Sequence, residues 1–108
     1  MSLGKLQESF AVAQARLILF LKRREIGVRE KSGVRCDNCH VGKVDSVHKV
    51  GLAKDFRLTI KGKLVEDVYP KKWERVYNMA HDKWDELGGA PRIAGDLGHF
   101  SFKYQGRW

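Results

Sequence analysis

Near the N-terminus apolar residues return at intervals of three and four. Leu6, Phe10, Ala13, Leu17 and Leu21 fall on one face of a helix. Lys22, Arg23 and Arg24 occupy its last turn, where cations suit the negative end of the helix dipole, and Gly27 is the expected stop. "GVREKSGVR" is expected to hold one or two short strands, with Gly33 at a turn. From Cys36 to Val50 no period survives, which predicts a loop. At Leu52 the period changes to two. Leu52, Phe56, Leu58 and Ile60 point one way and Ala53, Asp55, Arg57 and Thr59 the other, with Lys54 interrupting the apolar face. "KGK" then reads as a turn, and Pro70 is placed for the first turn of a second helix. Trp73, Val76, Tyr77, Ala80, Trp84 and Leu87 carry that helix's apolar face, so Trp73 and Trp84 are expected in the core, and Gly88 and Gly89 end it. The tail, "GHFSFKYQGRW", alternates again as a last strand. This order predicts a small single α+β domain over residues 1–108, an antiparallel sheet with two main helices.

Composition narrows the class. Apolar residues make up 43% of 108, enough for one modest core. Basic residues number 21 against 13 acidic ones, a formal net charge of +8, which favours an anionic partner: nucleic acid, a membrane surface or an anionic wall polymer. The lysines and arginines are scattered along the chain and no nucleic-acid module signature is present, so no nucleic acid is expected as partner. No apolar run approaches the length of a membrane span, so no membrane insertion is expected. "ARLILFL" precedes its cations rather than following them, unlike a secretory signal, which points to synthesis in the cytoplasm.

The candidate chemistry lies in "DSVHKVGLAKDFRLTIKG". His48 and Asp55 stand seven positions apart with Gly51 between them to turn the chain. Asp55 falls on the strand face opposite Phe56 and Leu58, so it can look into a cleft while they hold the core. A catalytic zinc site draws about three ligands from His, Asp, Glu and Cys and keeps one position open. "GDLGHFSF" offers His99 as the third ligand, with Asp96 three residues before it as a general base.

"SVHKVGLAKD", Ser46 to Asp55, matches an S-x-H-x-x-G-x-A-x-D signature, and "DLGH" the D/E-x-x-H that completes it. In these motifs the chain resembles the zinc D-Ala-D-Ala carboxypeptidases and L-alanyl-D-glutamate endopeptidases, a family with phage endolysins among its members and a fold shared with the hedgehog signalling domain. The resemblance runs from about Gly27 onward. It implies that His48, Asp55 and His99 bind zinc and that Asp96 is general base and then acid. Arg35 would steady the oxyanion, with Arg29 as the fallback, and Ser46 would line the substrate site. The implied function is zinc-dependent hydrolysis of an amide in the peptidoglycan stem peptide, with L-Ala-D-Glu endopeptidase favoured over D,D-carboxypeptidase. The enzyme would act as a monomer and reach the bacterial wall through a holin or by lysis.

Two other classes compete. One is a catalytically inactive, hedgehog-like zinc-containing binding module or phage structural component; the other is a basic nucleic-acid-binding protein. "CDNCH" also spells the C-x-x-C-H of c-type haem attachment, but that chemistry needs an oxidising compartment. A structural metal on Cys36, Cys39 and His40 would want a fourth ligand. His81 is the candidate, although its place on the second helix predicts exposure. Two loop cysteines that pair under oxidation are the favoured reading.

Overall fold

The computed structural model describes residues 2–30 and 50–108. The first helix, α1, runs Leu3–Lys22, and Ser2 caps it by accepting a hydrogen bond from the Lys5 amide. Phe10, Ala13, Leu17 and Leu21 are its buried residues, as their spacing predicts. Gly27 does not stop it. The helix closes at Arg23, and the chain turns at Glu25, whose φ of 62° is left-handed. Gly27 lies inside β1, Ile26–Glu30, directly across from Thr59. A Cβ there would stand 2.5 Å from the Thr59 hydroxyl oxygen, so the glycine leaves room for the threonine, which is buried despite facing away from Leu58.

The central strand, β2, is Ala53–Ile60. It pairs antiparallel with β1 along residues 56–60 and turns back through Lys61 and Gly62 into β3, Lys63–Leu64. Both turn residues have positive φ, the backbone that a two-residue hairpin of matching twist demands. A short helical turn, α2, Val65–Val68, follows and buries Val65. Pro70 therefore does not open the long helix. It has no N–H with which to continue α2, and α3, Trp73–Glu86, begins after a further turn in which the Lys72 amide bonds the Tyr69 carbonyl at 3.0 Å. Gly88, at φ 88°, ends α3 as expected. The last strand, β4, is only His99–Ser101 and pairs antiparallel with the first half of β2.

These elements form a small α+β domain, its helices and antiparallel sheet sharing one core. Trp84 is fully buried at its middle. Its ring meets Phe10 and Phe100 edge-on, with centroids at 5.7 and 5.8 Å, and lies tilted against Phe102 at 5.5 Å. The indole N–H donates to the Ser101 carbonyl at 2.9 Å, which ties α3 to the last strand.

Between the parts of β2 paired with β4 and with β3, two amides find other acceptors. Phe56 N–H bonds the Gly98 carbonyl at 2.7 Å, and Leu58 N–H bonds the Tyr77 hydroxyl at 3.0 Å. Burial, opposed by the bond from Leu58 and reinforced by Glu66, pushes the Tyr77 hydroxyl up to about 12, so it stays protonated. Replacing Tyr77 with Phe leaves a buried strand amide without an acceptor. Tyr77→Phe is expected to lower stability by about 1–3 kcal/mol, read from the urea midpoint at unchanged slope; an unchanged midpoint would show that water or a shifted group takes over.

Candidate metal centre

Asp55 and His99 lie 44 positions apart in the chain and directly opposite each other in the β2–β4 ladder. Side chains at opposed positions leave the same face of a sheet. The His99 Nδ1 stands 3.3 Å from an Asp55 carboxylate oxygen. His99 is buried and Asp55 half-buried, whereas Asp96 is exposed at the rim. One ligand atom from each of Asp55, Asp96 and His99 can be chosen so that all lie within 4.8 Å of one another. An imidazole and two carboxylates at that spacing are a donor set that could hold a divalent ion.

The turn before β4 delivers two of the three. Gly95, at φ 81°, reverses the chain, and the Asp96 amide bonds the Ile93 carbonyl at 3.0 Å. The His99 amide then bonds the Asp96 carbonyl at 3.1 Å, closing "DLGH" into one compact unit. Its glycine has a steric reason: a Cβ on Gly98 would stand 2.6 Å from the Phe56 carbonyl oxygen. Only a bare backbone approaches β2 this closely, and that approach starts the ladder placing His99 across from Asp55. At the other end Gly51, at φ 71°, turns the chain into β2, and Gln7 of α1 holds the Val50 carbonyl at 2.8 Å.

Of the expected site residues, Asp55, Asp96 and His99 come together. His48, Arg35 and Ser46 lie outside the described residues, as do Cys36, Cys39 and His40. Arg29 is drawn away from the centre, since its guanidinium donates to the Gly62 carbonyl at 3.3 Å, beyond the end of β2 opposite to Asp55. Compared with family models, curated proteins and solved structures, the chain matches none.

Two supporting residues escape the sequence reading. His81, expected at the surface, is only 1% exposed. Its ring stacks flat on Phe100, 4.1 Å between centroids, and its Nε2 meets the Leu97 carbonyl at 2.8 Å. A carbonyl only accepts, so Nε2 carries the proton. The signal was present: His81 lies four residues after Tyr77 and three before Trp84, on the buried face. Arg92 is the second. It donates to the side chains of Asn78 and Asp82 at 2.7 Å each and of Asp85 at 3.0 Å, stapling the chain between α3 and β4 to the helix. Asp82 chiefly, with Asp85, raises its pKa against a smaller opposing effect of burial. His81 and Arg92 thus hold the stretch that carries Asp96 and His99.

Burial, partly offset by the Leu97 carbonyl, lowers the His81 pKa below its ordinary 6.5. The unfolded chain therefore binds a proton there more readily than the folded one. Its contribution to stability is complete above about 6.5 and is lost as pH falls from there through the folded value. In His81→Gln the amide N–H can still reach Leu97 but does not titrate. This variant is expected to lose less stability than the parent between neutral and mildly acidic pH, measured as urea midpoints across that range. Parallel pH curves would show that other groups carry the whole dependence.

Proposed function

We propose that the chain is a zinc-dependent peptidase of peptidoglycan stem peptides, of the D-Ala-D-Ala carboxypeptidase and L-alanyl-D-glutamate endopeptidase kind with its hedgehog-like fold. The observation that supports this reading is convergence: three residues singled out by two separate motifs meet within 4.8 Å. An accidental motif match carries no such requirement. The donor chemistry fits zinc, and His48 with Asp55 and His99 would complete a three-ligand set. A bound zinc ion supplies Lewis acidity toward a carbonyl and makes water a better nucleophile near neutral pH.

The remaining chemistry falls to the chain's own side chains. Asp96 is exposed, so its carboxylate is open to both substrate and solvent. As general base it takes the proton of the attacking water, and as general acid it hands that proton to the departing amine. His99, buried against β2, stays fixed while this happens. Arg35 would face the developing oxyanion and Ser46 the peptide. L-Ala-D-Glu cleavage is the favoured bond, by a monomer that meets the wall after release from the cytoplasm.

A second reading rests on the same closeness. If Asp96 ligates the metal beside His48, Asp55 and His99, four protein ligands close the site, as in a structural centre, and the domain is a binding module. Purified peptidoglycan separates the two. Chelator-sensitive cleavage restored by zinc is expected, with product masses naming the bond. Asp96→Asn should retain the metal and lose about 10²–10⁴ in rate. Metal lost from Asp96→Asn, together with no cleavage by the parent protein, would establish the binding module instead.

A further inference from the structure

On α1 the solvent side has a pattern of its own. Val12, Arg16, Leu19 and Arg23 recur at spacings of four, three and four, turned away from the buried Phe10, Ala13, Leu17 and Leu21. Val12 and Leu19 are large apolar residues left 53% and 55% exposed. Toward the helix's C-terminus the stripe opens into a shallow recess shared with the end of α3. Leu19 and Phe20 line it, and Arg16, Arg23, Arg24 and Lys83 stand around them. The Arg24 guanidinium lies over the Phe20 ring at 3.8 Å and the Lys83 ammonium at 5.4 Å, so the ring carries cations on an apolar support.

Charge there is lopsided. Lys83 is bridged to Glu86 at 3.2 Å, and Glu25 follows Arg24 in the chain. Arg16, Lys22, Arg23 and Arg24 make no ion pair among the described residues. None of these residues belongs to the Asp55, Asp96 and His99 group. Among the described residues no helix is long and apolar enough to cross a membrane.

We propose that this face docks the protein on an anionic phospholipid bilayer, lying in the interface rather than spanning it. The inference is independent of the metal centre. The arginines and Lys22 complement headgroup phosphates, while the exposed side chains of Val12 and Leu19 enter the acyl boundary between them. Charge alone would serve any polyanion. The exposed apolar residues interleaved with the cations are what select lipid, because a hydrated polymer gives them nothing to enter. Val12 and Leu19 are left over from a helix whose opposite side already supplies its core.

The test is co-sedimentation of the full chain with vesicles of equal parts phosphatidylglycerol and phosphatidylcholine, against phosphatidylcholine alone. Binding is expected to the anionic vesicles only. Each of Arg16→Gln and Arg23→Gln should weaken it about fivefold. Val12→Ser combined with Leu19→Ser, which leaves the charge unchanged, should weaken it at least as much as one arginine. All four positions are exposed, so these variants should fold, and an unchanged thermal midpoint verifies it. No binding to anionic vesicles overturns the proposal. So does binding that responds to the arginines and to salt but ignores the Val12 and Leu19 pair, or that is abolished by a short DNA duplex with no effect of that pair; either would assign the face to a soluble polyanion.

Discussion

The backbone contact between Gly98 and Phe56 decides how the rest of the molecule is arranged. A carbonyl and an amide meet at 2.7 Å where no side chain fits. From that contact the β4 ladder continues through Asp55↔His99 to Ala53↔Ser101. Trp84 then secures the far end of β4 through the Ser101 carbonyl, and the Ala90 amide bonds the same carbonyl at 2.8 Å. A three-residue strand would be marginal alone. It persists because both ends are fixed by groups that have no other place to go: a strand amide on one side and a buried indole N–H on the other.

The chain between α3 and β4 shows how polar and apolar forces divide this work. Its inner side is held by His81, whose buried ring gives the Leu97 carbonyl a donor. Its outer side is held by Arg92, where three side chains of α3 share one guanidinium near solvent. The bond from the buried imidazole is a single contact but costly to leave unmade. The exposed cluster is individually weak and gains from being multiple.

Periodicity carried much of the fold. Both long helices and the central strand follow from apolar spacing, because each buries a single face and the pattern of that face is local. The errors have both remote and local origins. Gly27 reads as a helix stop until Thr59 stands across from it, and Pro70 reads as a helix start until α2 is seen to end there. His81 reads as exposed because histidine is polar, although its position matches the buried face. At the candidate site Asp55, Asp96 and His99 were legible as a group from their residue types and motifs, and what spacing left open was the strand register that sets Asp55 across from His99. Arg92 left no trace, because its partners on α3 are ordinary surface polar residues until the chain folds back over them.

Strand register has a consequence for how such a domain can vary. Asp55 and His99 are spaced by their opposed places in one ladder, and the chain that joins them leaves β2 at Ile60, pairs with that end of the strand through β3, and comes back beside Asp55 only at His99. The excursion carries a hairpin, two helices and the loop that Arg92 pins down. Residues added or removed along it change the body of the domain without altering the distance across the ladder. A single residue inserted within 98–101 would break the register of β4 against β2, and one placed between Gly98 and His99 would turn the histidine to the other side of the sheet. Length polymorphism is thus open to the long detour and closed to those four positions.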